Sequence, residues 1–165
     1  RVLAEGLSGF DIAAKRILEL GCGLGLSSLV LQRRLADITA SDHHPLAATF
    51  LEYNAALNDL PAVAFHDLPW AVPDPRLGRF DLIIASDVLY ERDHATLLAA
   101  LVLRHAHARS EVVITDPGRG NSAAFTRALL AQGYAASERR SRFDENDTEP
   151  FRGRLLHYRR DELSS

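Results

Sequence analysis

Lysine is almost missing from this 165-residue chain: Lys15 is the single one among 19 basic residues. Cysteine also occurs once, as Cys22, which excludes an internal disulfide. Such usage fits a reducing compartment, so a cytoplasmic location is expected. No apolar run approaches the roughly 20 residues that cross a bilayer, and the opening residues do not read as a signal peptide. A membrane partner is therefore not expected. The formal charge of −3 offers no general excess of cations, and nucleic-acid binders usually carry a basic face. The late cluster of Arg139, Arg140, Arg142, Arg152, Arg154, Arg159 and Arg160 is interleaved with Asp144, Glu145, Asp147 and Glu149, which reads as solvated surface. Repeats, low-complexity tracts and Gly/Ser linkers are absent, so residues 1–165 are expected to form a single domain. The preference for Arg over Lys, with much Ala, points to a GC-rich bacterial genome.

What is present is ordinary globular material. Hydrophobic residues make up 47% and charged residues 25%. A chain of this size buries roughly two-thirds of its unfolded surface, enough for a core without staples. Strand-like apolar runs at 16–20, 36–41, 62–66, 80–86 and 111–116 alternate with helix-like stretches at Leu24–Arg34, Pro45–Leu57, His94–Ala108 and Ser122–Gln132. That alternation predicts a parallel sheet covered on both faces. The stretch Val2–Lys15 reads as a further helix; its abrupt start predicts an upstream segment outside this chain. At the other end, Tyr134–Phe143 and Gly153–Tyr158 read as strands joined by the polar loop Asp144–Pro150. Strands linked without a helix run antiparallel. The expected fold is α/β: a doubly wound, Rossmann-like sheet of seven strands, mostly parallel with an antiparallel C-terminal strand. Periodicity does not give the strand order.

Local signals support these boundaries. Ser27 and Ser28 stand where hydroxyls satisfy the free amides of a helix start. Pro45 suits a first-turn position. Asn58 is placed to take the left-handed cap conformation, and Pro61 stops the helix from resuming.

The stretch 17–28, ILELGCGLGLSS, puts a Gly-rich turn between a strand and a helix. Such a turn brings bare backbone and free helix amides close to a ligand. The dinucleotide fingerprint G-x-G-x-x-G would need glycine at 26, where this chain has Leu26. The spacing is instead G-x-G-x-G, preceded by Glu19. A diphosphate wants amides and no nearby anion; an acid at the loop suits a ligand bearing an ammonium or sulfonium group. ELGCGLG at 19–25 resembles motif I of the seven-stranded S-adenosylmethionine-dependent methyltransferases. That resemblance implies that Glu19, Gly21, Cys22, Gly23 and Gly25 hold the methionine end of S-adenosylmethionine, with S-adenosylhomocysteine as product. Asp42, closing the second strand in ITASD with His43 beside it, stands where an acid accepts hydrogen bonds from ribose hydroxyls. Asp67, in FHDL with Leu68, stands where the family contacts the adenine amino group. Any one strand-end aspartate would serve equally as a turn cap. Three acids at successive strand ends, on the carboxyl edge where open α/β sheets bind ligands, point to cofactor binding.

FDLIIASDVLY at 80–90 sets Ser86 and Asp87 at the end of the fourth strand and Tyr90 three residues beyond Asp87. This D-x-x-Y resembles methyltransferase family 16, which is rich in protein-lysine methyltransferases. FLEYNAALNDL at 50–60, with Asn54 and Asn58, is similar to that family's second helix. DLPW at 67–70 matches its acid followed by tryptophan, with Trp70 as a pocket wall. ITDPGRG at 114–120 is similar to bacterial and mitochondrial members related to the lysine methyltransferase of the electron transfer flavoprotein β-subunit. The resemblance spans about residues 1–135. It implies that Asp87 and Tyr90 orient and wall in an acceptor amine, that Asp116 adds a second acceptor, and that Arg119 pairs with Asp116 or with an acidic group of the substrate. Read from the residues alone, the alternative for Asp87 and Tyr90 is a helix cap beside a packed aromatic, and Asp116-Pro117-Gly118 is a good turn.

A lysine ammonium has a pKa near ~10.4 and must shed a proton before it attacks. A carboxylate favours the charged form, so Asp87 is better read as an orienter than as a strong base. Base-C5 methylation needs a nucleophilic cysteine after the fourth strand, and the lone Cys22 sits in the glycine loop. Enzymes acting on exocyclic base nitrogens usually show a D-P-P-Y turn where this chain has Asp87-Val88-Leu89-Tyr90, which disfavours a nucleic-acid substrate. His43 and His44 are adjacent, and His105 and His107 are two apart, so no metal site is expected. The acidic loop 144–149 could attract a basic protein surface. The expected activity is methylation of a lysine on a protein substrate. A small-molecule amine or heterocycle as acceptor, and a non-catalytic nucleotide-binding module, are the alternatives.

Overall fold

The computed structural model describes residues 1–72, 74–118, 120–140 and 153–161. Its elements run α1 (Val2–Ser8), β1 (Arg16–Leu20), α2 (Leu26–Arg33), β2 (Asp37–Asp42), α3 (Ala47–Leu57), β3 (Ala64–Asp67), β4 (Phe80–Ser86), α4 (His94–His105), β5 (Ala106–Asp116), α5 (Ser122–Ala131), β6 (Ala135–Arg140) and β7 (Arg154–Arg160). The seven strands form one sheet in the order β3-β2-β1-β4-β5-β7-β6. Strands β1 to β5 pair in parallel, and β7 runs antiparallel to both β5 and β6. The expected architecture is met, and the order reverses beside β1, between the β1–α2–β2 and β4 segments.

Both faces of the sheet are apolar because both are covered. Successive side chains alternate between faces: Leu82, Ile84 and Val113 pack with Leu3, Leu7, Leu31 and Leu51 of α1, α2 and α3. Ile83, Ala85 and Ile114 pack with Leu98, Leu101, Val102, Phe125 and Leu129 of α4 and α5. Each fully buried aliphatic side chain contributes about 1.5–3 kcal/mol.

Several boundaries differ from the sequence expectation. The first helix stops at Ser8 rather than reaching Lys15, because Gly9 follows and the Arg34 guanidinium takes the Leu7 and Phe10 carbonyls at 2.5 and 2.9 Å. Strand β5 begins at Ala106, directly out of α4, so the helix expected to 108 ends at His105. There His105 Nδ1 is bound to the Gly78 carbonyl at 2.8 Å. Asn58 is not left-handed (φ −101°); Asp59 is (φ 53°). Pro45 precedes α3 instead of opening its first turn. Lys15 lies before β1, at the edge where the parallel strands begin, and its Nζ meets Glu111 Oε1 and the Asp11 carbonyl at 2.7 and 2.8 Å. Among the described residues no helix is long and apolar enough to cross a membrane. None of the described His, Cys, Asp and Glu residues group into a metal site. Phe143, Arg142, Arg152 and the acidic loop 144–149 lie outside the described residues.

Candidate functional site

At the carboxyl end of β1 the chain turns through Gly21, Gly23 and Gly25, whose φ angles of 66°, 52° and 81° lie in the region that side chains disfavour. The three glycines answer to different constraints. A Cβ on Gly25 would overlap the Leu51 side chain of α3. One on Gly21 would press on Val88 at 3.1 Å and Trp70 at 3.4 Å. One on Gly23 would meet nothing within 4 Å, so Gly23 leaves bare backbone beside open space. The turn is tied inward by Gly25 N–H donating to the Cys22 carbonyl (2.8 Å) and Cys22 N–H donating to the Ser41 carbonyl (2.9 Å).

Glu19 does not open onto that space. It is 2% exposed, and its Oε2 accepts from the Ser28 N–H at 3.0 Å and from the Ser28 hydroxyl. Ser28 is therefore not the cap that the sequence suggested. The cap is the Glu19 carboxyl, lent by the neighbouring strand to the N-terminal turn of α2. Burial pushes the Glu19 carboxyl up to about 7, with hydrogen bonds from Ser28 and Ser27 opposing the rise. Cys22 is buried too. Its thiol is pushed up to about 12 by burial and then by the Glu19 and Asp42 charges, which leaves it unreactive.

The second acid organises the rim. Asp42 Oδ2 accepts from Gly23 N–H at 2.9 Å and Oδ1 from His44 N–H at 2.8 Å. Its carbonyl accepts the N–H of Leu68, which is fully buried. Asp67 is paired across from Asp42 in the sheet register. It is exposed and meets His43 Nδ1 at 3.0 Å.

Beside these groups lies an open cleft of about 700 Å³, lined by Gly21, Asp42, His43, His44, Pro45, Pro69, Trp70, Ala71, Tyr90, His94 and Leu97. His94 holds its centre. Trp70 meets its ring edge-on at 4.9 Å and Tyr90 at 4.5 Å. Its Nδ1 lies 2.8 Å from the Val88 carbonyl. A carbonyl only accepts, so Nδ1 carries hydrogen there. Sequence reasoning missed His94. No spacing rule marked it, because Tyr90 lies in the loop before α4 and His94 is the first residue of that helix.

The other expected catalytic residues sit behind this surface. Asp87 follows β4 with φ 54°, a strained conformation for a non-glycine residue. Its N–H donates to the Thr115 carbonyl at 2.9 Å. Ser86 Oγ lies 3.0 Å from Thr115 Oγ1, so that side chain faces β5. Asp116 is 1% exposed and its Oδ1 accepts from Gly118 N–H at 3.1 Å, as the turn reading anticipates. The cleft lining thus gathers Gly21, Asp42, His43, Trp70 and Tyr90 but neither Asp87 nor Asp116. Arg119 lies outside the described residues.

A family model described as lysine methyltransferase matches residues 3–128. The electron transfer flavoprotein beta subunit lysine methyltransferase of Rattus norvegicus is 33% identical over 110 residues, covering 66% of this chain and 42% of that protein. The ribosomal protein L11 methyltransferase of Helicobacter pylori is 34% identical over 83 residues, covering 50% of this chain and 25% of that protein. This chain thus spans between a quarter and about two-fifths of the length of those curated relatives. A crystal structure of magnesium protoporphyrin IX methyltransferase from Synechocystis with bound SAM superposes with a TM-score of 0.73 at 20% identity, covering 97% of this chain and 76% of that one. That likeness establishes a shared fold.

Proposed function

The chain belongs to the lysine methyltransferase family, and from that premise we propose that it is an S-adenosylmethionine-dependent enzyme that methylates lysine side chains of a protein. The observation that carries the reading is the single cleft edge that joins Gly21 and Asp42 to Trp70 and Tyr90. The donor set fits the cofactor. Gly23 leaves open backbone. The Asp42 carboxylate has acceptor capacity beyond its two amide partners, enough for ribose hydroxyls. Trp70 and Pro69 give an apolar wall to a flat ring. Glu19 supports this cradle from behind by fixing the start of α2. When bound, the cofactor supplies a methyl group on a sulfonium.

The protein's own work is positioning, worth up to ~7–11 kcal/mol in oriented reactions. Tyr90 and Trp70 flank the cleft with aromatic faces that attract an ammonium group. The amine must then lose its proton, and Asp87, at the strained end of β4 and set back from the cleft lining, is assigned the role of orienting its lone pair once the amine passes inward of Tyr90.

The test is transfer from radiolabelled S-adenosylmethionine into a bacterial lysate, for the parent chain and for Asp87→Ala and Tyr90→Ala. Label in discrete protein bands, reduced at least tenfold in both variants with cofactor binding retained, is the expected result. Label confined to the small-molecule fraction would assign a small amine as acceptor. No transfer, with no cofactor binding, would sink the reading.

A further inference from the structure

We propose that the outer face of α3, beside the cleft, docks a basic amphipathic segment of the acceptor protein; this rests on the lysine-methyltransferase reading above. The inner face of α3 buries Ala47, Leu51 and Ala55. Its outer face carries a second apolar stripe. Leu46, Phe50, Tyr53 and Leu57 recur every three or four residues, about one turn apart, so they stand in line. Phe50 is 43%, Tyr53 64% and Leu57 68% exposed. Leu24 extends the stripe: it is also exposed, and its carbonyl accepts from Asn54 Nδ2 of α3 at 2.9 Å. Contiguous exposed apolar surface of this kind marks an interaction site. It also runs straight into the cleft, because His44 and Pro45, just ahead of Leu46, line it.

Charge selects the occupant. From residue 35 to residue 75 the chain has no Lys or Arg; Asp37 and Asp74 are paired with Arg16 and Arg76, which leaves Asp42, Glu52, Asp59 and Asp67 as the acids that face other partners. This stretch forms β2, α3 and β3, one whole flank of the sheet. The other long helices each carry arginine (Arg33, Arg104 and Arg127), whereas α3 carries none. The arginines that come near this flank, Arg33 and Arg34, line a pocket with Asn58 and Leu60 at the end of α3 away from the cleft. A symmetric dimer through this face would set acid against acid. Nucleic acid and anionic lipid are repelled for the same reason. A helix-forming segment with apolar residues on one side and lysines on the other matches both the stripe and its charge. It would also deliver lysines to the cleft mouth.

The test uses the full chain and a fluorescein-labelled 20-residue peptide with leucines on one helical face and lysines on the other, beside a scrambled isomer of the same composition. Fluorescence anisotropy should show binding that weakens with salt and exceeds that of the isomer. The pair Phe50→Ser with Leu57→Ser, and separately Glu52→Lys, should each weaken binding about tenfold. All three positions are exposed, and unchanged circular dichroism and melting temperature would confirm folding. S-adenosylmethionine affinity should stay at the parent value. Equal peptide binding in parent and both variants overturns the proposal, as does a parent dimer in sedimentation that the substitutions dissolve. Loss of cofactor binding in the parent with peptide binding intact would instead remove the methyl-transfer reading and leave the surface standing.

Discussion

At the scale of single residues, the glycine loop and the acid beneath it make separable demands. Gly25→Ala combines a left-handed φ with overlap on Leu51. It should cost roughly 2–4 kcal/mol in urea denaturation. Gly23→Ala meets no atoms, so its stability loss should stay near the ~1–2 kcal/mol of left-handed strain, while cofactor affinity falls more sharply. Equal effects at both positions would contradict the division of roles. Glu19 gives a pH test. Its carboxyl holds a proton to about pH 7 when folded, against 4.5 as its ordinary value. Folding therefore takes up a proton between those values. The associated stability is complete below 4.5 and is lost as pH rises through 7. The difference is roughly 3 kcal/mol. Relative to the parent, Glu19→Gln should gain stability on going from pH 5 to pH 8, measured as urea midpoints across that range. Glu19 also marks a limit of legibility. Its spacing from the glycines showed in the sequence, but its direction did not, because only packing reveals that the carboxylate turns to Ser28.

At the scale of elements, helix ends carry the information that periodicity blurs. After α2, Leu35 N–H donates to the Gln32 carbonyl and Ala36 N–H to that of Leu31. After α3, Asp59 N–H donates to the Ala56 carbonyl and Leu60 N–H to that of Ala55. After α5, Gly133 and Tyr134 repeat the pattern onto Leu130 and Leu129. All three are Schellman ends with a left-handed residue at the turn. Gly133 takes that conformation freely and Asp59 tolerates it, whereas a leucine does not. Leu35, at φ 58° and 90% exposed, is strained there and contacts little. Leu35→Gly should raise stability by about 0.5–1 kcal/mol, read as a higher melting temperature. A lower one would mean that Leu35 packs in a way its exposure denies. The same geometry explains why Asn58 was misassigned: the left-handed site falls one residue later, on an aspartate that composition alone does not mark out.

At the scale of the whole molecule, the alternation of strand and helix made the sheet and its two covered faces legible before any coordinates. The order of the last strands was not, since connection length does not say which edge a strand joins. Burial does. Every residue of β6 is exposed, whereas Leu156 and Tyr158 of β7 are buried. The polar strand therefore takes the edge and β7 the interior place beside β5. A cradle assembled from three strand ends also predicts a global response to ligand. At a hundredfold excess over its dissociation constant, S-adenosylmethionine should add about 2.7 kcal/mol. For a domain of this size that is a rise of about 5–10 °C in melting temperature. A flat thermal-shift titration would remove the cofactor assignment.

The clamp on Lys15 has one more consequence. The only lysine of this chain is ion-paired to Glu111 at the sheet edge remote from the cleft. An enzyme of the proposed kind would thus find almost nothing to modify within these 165 residues, even when concentrated or left for hours. Autolabelling, a common background in radiometric screens, should be negligible at its 18.2 kDa band, so each methyl-lysine recovered from a mixture reports on another protein.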